Sequence, residues 1–188
     1  MVVNAVGADR PGIVSEVTKH VVEAGGNVGE SQAARLGTHY FSMLMLCQVP
    51  TTQKDAFEKA MNDLEGMNAS VFEAEAPVVG IVKAAIGYSG IVHLDGANQP
   101  GILHKVTAAL AQNGLSIDKL KTGEDIAPHG GTTLFHMKCV ASAPEPLAKD
   151  FDPEKIRVQL EALGENLNCD VTLEDVHDDN IGASFVGG

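Results

Sequence analysis

Short apolar runs alternate along this chain with longer stretches in which apolar residues recur every four positions, and the order of that alternation occurs twice. The first run, Val2 to Val6, predicts a strand. After a turn comes Pro11, expected at the first helical position, where its missing N–H costs nothing. Ile13, Val17 and Val21 then make the single buried stripe of a helix. Gly25-Gly26 ends it, since glycine takes the left-handed conformation cheaply at a helix terminus. Two strand-like runs follow, Asn27 to Leu36 and His39 to Val49, flanking a hairpin-like turn at Gly37-Thr38. Phe57, Ala60, Met61 and Leu64 predict a second helix, and Ala69 to Glu75 a closing strand.

The second half carries the same series. Gly7-Ala8-Asp9-Arg10-Pro11-Gly12-Ile13-Val14 realigns on Gly96-Ala97-Asn98-Gln99-Pro100-Gly101-Ile102-Leu103, and Gly12 to Gly101 is a step of 89 positions. The step persists without a gap: Val17 falls on Val106, Thr18 on Thr107, Val21 on Leu110, Gly25 on Gly114 and Val28 on Ile117. Internal similarity of this kind marks a duplicated structural unit. The second copy opens with a strand from Ile91 to Asp95. It runs as a strand from Ser116 to about Thr122, is interrupted by an insertion from Gly123 to Gly131, and resumes from Thr132 to Val140. Its second helix shows Ile156, Leu160, Leu163 and Leu167 on one face behind Asp152-Pro153, a good N-cap and first position. A last strand covers Asp170 to Val176. Strand-helix-strand-strand-helix-strand, twice over, predicts an α+β protein of two tandem ferredoxin-like βαββαβ domains, antiparallel sheets with helices on one face. The expected boundaries are 1–76 and 86–177. An apolar linker at 77–85 is expected to pack or extend a strand, and an acidic, Gly-rich tail at 178–188 to fray.

Composition narrows the functions such a chain can serve. Its 188 residues suffice for two small cores, and no run nears the roughly 20 apolar residues of a membrane span. A net charge of −12 repels phosphate backbones, so direct nucleic-acid binding is not expected. With 4% aromatic residues and no Trp, the chain also lacks the stacking platform of RNA-binding modules of the same strand order. Cys47, Cys139 and Cys169 form no CxxC pair and read as buried free thiols in a reducing compartment. The N-terminus reads as a strand rather than a signal peptide, so a cytoplasmic protein is expected, or an organellar one if a leader has been removed.

Metal chemistry finds no support in the spacing. His93 and His136 fall on strands, His104 in the first turn of a helix and His129 in the insertion, without HxH, HExxH or a close Cys partner. No GxxxxGK[ST] phosphate loop occurs. Gly87-Tyr88-Ser89-Gly90-Ile91 misses the GxSxG elbow by one position, which leaves Ser89 as a strand-leading residue.

The repeated turn is the candidate site. It aims the first backbone N–H groups of a helix at whatever sits beyond the strand end, and helix N-termini attract carboxylates. Asp9, or the carboxamide of Asn98, can accept from an ammonium group, and Asn27 is expected close by. Together such groups would read both ends of an α-amino acid. No cofactor is expected.

Asp9-Arg10-Pro11-Gly12-Ile13, the helix after it and Gly26-Asn27-Val28 resemble the ACT domain, a small-molecule sensing module, and Gly96 to Ile117 is similar but weaker. With His20-Val21, Ser31 and Leu36-Gly37 added, and Ala127 to Phe135 similar to an insertion in tandem-ACT relatives, the chain resembles the glycine cleavage system transcriptional repressor family over nearly its whole length. This resemblance implies a ligand-responsive regulator without a catalytic centre, acting through a protein partner. In it, domains pair side by side, with an amino acid between the strand-one turn of one and its neighbour. Carried over, the ligand-binding residues are Asp9, Arg10, Pro11, Gly12, Ile13, Asn27 and Val28 in the first copy, and Asn98, Gln99, Gly101, Ile102, Ser116 and Ile117 in the second. Ser116 stands where the first copy has Asn27, so the two sites differ in one polar contact. Glycine or serine is the expected ligand and a homodimer the expected assembly. Two rival classes share the fold: a regulatory subunit or small-molecule enzyme, and an interaction domain that has lost its ligand. Against the enzyme, no acid–base pair recurs at the turn, because Asn98 replaces Asp9 and Gln99 replaces Arg10.

Overall fold

A computed structural model describes residues 1–74, 85–126, 131 and 133–176 of the chain. The linker expected at 77–85, apart from Ala85, lies outside the described residues, as do the tail expected at 178–188 and His129. Two compact units are present, residues 1–81 and 82–188.

The first unit runs β1 (Val2–Ala8), α1 (Ile13–Glu23), β2 (Asn27–Leu36), β3 (Tyr40–Gln48), a 3-10 turn (Thr51–Gln53), α2 (Lys54–Asn62) and β4 (Met67–Phe72). Its sheet is antiparallel in the order β2-β3-β1-β4. Alternation along β1 buries Val3 and Ala5 on one face while Asn4 and Val6 point away. On the buried side Val3, Ala5, Met43 and Met45 meet Ile13, Val17 and Val21 of α1 and Phe57 and Met61 of α2 in one core. Both helices therefore lie on one face of the sheet, as the four-residue stripes require.

The second unit repeats this with β5 (Ile86–Ala97), α3 (Ile102–Gln112), β6 (Ser116–Ile126), β7 (Thr133–Pro144), α4 (Pro153–Leu167) and β8 (Cys169–Asp175), in the order β6-β7-β5-β8. Val92, Leu94, Met137 and Cys139 of the sheet pack against Ile102, Val106 and Leu110 of α3 and Ile156 and Leu160 of α4. Even the irregularities recur. The edge strands β2 and β6 each gain one extra residue, between Val28 and Ser31 and between Ile117 and Lys119.

Three expectations are corrected. Pro11 and Pro100 are not the first helical residues: the helices begin at Ile13 and Ile102, and a glycine with positive φ stands between proline and helix. The segment from Gly123 to Ile126 is strand rather than loop, because it continues the ladder of β6 against Thr133 to His136 of β7. β5 starts at Ile86 rather than Ile91, so Ser89 is an interior strand residue, and its buried Oγ finds no partner among the described residues. Cys47 and Cys139 are buried free thiols, and burial pushes Cys139 up to about 11, leaving it a thiol at neutral pH. Cys169 is only half-buried. Among the described residues no helix is long and apolar enough to cross a membrane, and no group of three or more His, Cys, Asp and Glu could hold a metal.

Candidate functional site

The turn after the first strand of each unit is built in four steps. As β1 ends, Asp9 N–H donates to the His39 carbonyl at 2.7 Å; as β5 ends, Asn98 N–H donates to the Thr133 carbonyl at 2.9 Å. Proline then fixes one φ near −65°. Gly12 follows at φ 91°, ψ −6°, and Gly101 at φ 81°, ψ 5°. Proline followed by a residue of this conformation makes a type II turn, and in the second unit Ile102 N–H closes it on the Gln99 carbonyl at 3.2 Å. The glycine carbonyls finally start the helices, Gly12 accepting from Glu16 N–H at 2.9 Å and Gly101 from Lys105 N–H at 3.0 Å. A Cβ at Gly12 or Gly101 would meet nothing within 4 Å, so backbone conformation rather than space calls for glycine there.

Neither α1 nor α3 has a side-chain N-cap, whereas α4 is capped by Asp152, whose carboxylate accepts from Glu154 N–H at 3.1 Å and Lys155 N–H at 3.4 Å. The first amides of α1 and α3 thus face the turn without a capping carboxylate or hydroxyl.

The side chains expected to bind ligand divide sharply. Asp9 is ion-paired to Arg35 of β2 at 2.6 Å. Asn98 Nδ2 donates to Glu124 of β6 at 2.8 Å. Arg10 pairs with Glu16 and also donates to the Glu65 carbonyl at 3.2 Å, while Gln99 Nε2 donates to the Leu167 carbonyl at 2.9 Å. Arg10 thus ties its turn to the loop just past α2, and Gln99 ties its own to the last residue of α4. Ile13 and Ile102 are core residues at 3% exposure, whereas Pro11, Gly12 and Gly101 are exposed.

Asn27 and Ser116 do not join these groups. Asn27 pairs with Gln48, next to the start of β1, where Val2 pairs with Leu46; Asp9 lies past the other end, beyond the Ala8–Tyr40 pair. The seven residues of β1 separate them by roughly 20 Å at a strand rise of about 3.3 Å per residue. The reason is α1 itself, whose 11 residues carry the chain back along the sheet by about 16 Å before β2 begins. In the second unit Ser116 pairs with Ser142, equally far from Asn98. The expected proximity of Asn27 to the turn is therefore corrected. Val28 is half-buried against the core, and Ile117 is exposed.

Sequence reasoning missed Arg35 and Glu124. They occupy equivalent positions, 89 apart like the turns they contact, so following the repeat to the end of the edge strand would have found them. It also missed His136, which bridges three strands. Its Nδ1 bonds Asp95 of β5 and its Nε2 lies 3.3 Å from Asp125 of β6, and the Asp95 bond raises its pKa above the ordinary 6.5. His93 is opposite Lys138, diagonal to His136 rather than beside it.

Residues 1–71 and residues 91–150 each match a family model described as an ACT domain. The glycine cleavage system transcriptional repressor of Escherichia coli (strain K12) is 26% identical over 177 residues, 94% of this chain and 90% of that protein, and the repressor of Shigella flexneri matches with the same figures. Among solved structures, a protein described only as unknown from Galdieria sulphuraria superposes with a TM-score of 0.71 at 27% identity, covering 94% of this chain and 97% of its own. A structure described as a candidate glycine cleavage system transcriptional repressor gives 0.64 at 22% identity over 94% and 96%, a likeness that bears on the fold alone.

Proposed function

Because both halves of this chain belong to the ACT-domain family, we propose that it is a non-catalytic regulator that binds a small amino acid and converts binding into a change of protein partnership. The observation that carries the reading is the likeness to the Escherichia coli repressor over 94% of the chain, both ACT domains included. The two domains at work are residues 1–76 and 86–177. The turn geometry supports the ligand class: uncapped helix amides favour a carboxylate, and Asp9 offers an acceptor for an ammonium. Glycine and serine are small enough to sit against a turn with so little side-chain wall. Asn27 lies at the far end of its own sheet, so it contributes to a turn site only as a neighbour's residue, and a homodimer is the assembly proposed to supply that neighbour.

The regulated process is glycine or one-carbon metabolism, reached in the cytoplasm through a protein partner. A net charge of −12 opposes direct contact with nucleic acid. Calorimetric titration of the whole chain with glycine, serine and branched amino acids tests the reading. Saturable binding of glycine or serine, weakened by Asp9→Ala, is the expected result. Absence of heat across the panel would sink it and leave a partner-binding scaffold.

A further inference from the structure

Resting on that reading, we infer that the amino-acid site belongs to the first unit alone, with Arg35 as the carboxylate-contacting residue, and that Glu124 closes the equivalent place in the second unit to carboxylates. Arg35 is opposite Phe41 and Glu124 is opposite Phe135, and directly opposed residues in an antiparallel pair share a face. Phe41 and Phe135 pack on the cores, so Arg35 and Glu124 lie on the helix-bearing face at the rim of the turn. Each reaches the same turn position, Arg35 to Asp9 and Glu124 to Asn98.

The geometry is duplicated, while the charge is lost at the turn position and inverted on the edge strand. At the first turn the pair is a carboxylate and a guanidinium, 2.6 Å apart, with Arg35 72% exposed. An α-amino acid carries the complementary pair. Its ammonium replaces the guanidinium at Asp9 and its carboxylate replaces Asp9 at Arg35, so every charge remains compensated as the ion pair opens. Guanidinium is suited to this, because its fork presents two parallel donors to a carboxylate. At the second turn the same positions hold a neutral carboxamide and a carboxylate. A ligand carboxylate there would meet Glu124 with no cation supplied by either position, and like charges at such range repel. The second turn keeps the architecture without the zwitterion chemistry.

Calorimetry on the whole chain with glycine and glycinamide, which retains the ammonium and lacks the carboxylate, separates the possibilities. Wild-type protein is expected to bind glycine at one site per chain and to prefer it to glycinamide. Arg35→Gln should weaken glycine by about tenfold to hundredfold, the range for a lost charge-assisted hydrogen bond, and bring the glycine-to-glycinamide ratio towards one. Glu124→Gln should leave both affinities unchanged. The double variant Asn98→Asp, Glu124→Arg should raise the stoichiometry from one to two. Thermal unfolding checks that each variant is folded, and the exposure of Arg35 favours that. Two sites in the wild type, or an Arg35→Gln protein that keeps its preference for glycine, would overturn this inference while the sensor reading stands. A wild type that binds neither glycine nor serine would overturn both.

Discussion

Gly12 and Gly7 stand five residues apart in the first unit and are glycine for different reasons. Gly12 has a φ of 91° with open space where a Cβ would go, so Gly12→Ala is opposed by the backbone alone. A left-handed conformation costs an L-residue about 1–2 kcal/mol, and chemical denaturation should show a loss of that size. A Cβ on Gly7 would lie 2.2 Å from the Gly66 carbonyl oxygen, so Gly7→Ala forces β1 away from the turn into β4 and should be worse. Gly123 is the control. It has neither positive φ nor a neighbour within 4 Å, and Gly123→Ala should be neutral or slightly stabilising. Equal losses at Gly12 and Gly123 would remove the turn argument. The glycines themselves were legible as a repeat, but the sign of φ was not. Proline before a helix reads equally well as a first helical residue or as the second residue of a type II turn, and only the position of the first intrahelical hydrogen bond decides. Asn27 was misplaced for a related reason: nearness in sequence across a helix is distance in space, because the helix returns the chain by its own length.

Elements differ in how their ends are held. α4 has the Asp152 cap that its sequence advertised, and Asp152→Ala should cost about 1 kcal/mol, within the usual range of 0.5–2 kcal/mol for a lost N-cap. The strands of the second sheet have a clasp that no motif announced, since His136, Asp95 and Asp125 come from three strands and meet only through register. With both ring nitrogens against carboxylates, the charged imidazolium is the bonded form. Its folded-state pKa lies above the ordinary 6.5, so the clasp contributes fully below about that value and is lost as pH rises through the raised one. Unfolding midpoints of the wild type should therefore fall as pH rises above about 6.5, and His136→Gln should flatten that fall. An unchanged profile in the variant would show that the carboxylates gain nothing from the imidazolium.

At the scale of the whole molecule, the constant step of 89 residues between Gly12 and Gly101 made the duplicated architecture readable, and hydrophobic spacing was enough because both units bury the same stripes. What the duplication could not convey is how far the copies have diverged in strength. Among the described residues the second core joins 17 buried side chains and the first 12, and β5 and β7 run 12 residues each where β1 and β3 run 7 and 9. Domains of this size are marginal, so a few buried side chains and ladder pairs decide their relative stability. The first unit should open at lower free energy. Native-state hydrogen exchange on the intact chain tests this: the slowest amides of α1 and β1 are expected to exchange ahead of those of α3 and β7, and to gain urea sensitivity as a separate group. Saturating glycine should then slow the first group and leave the second where it was, since a ligand protects only the state it binds. One common opening free energy for both groups would mean that the chain unfolds as a single cooperative body, and the ligand would then raise all of them together.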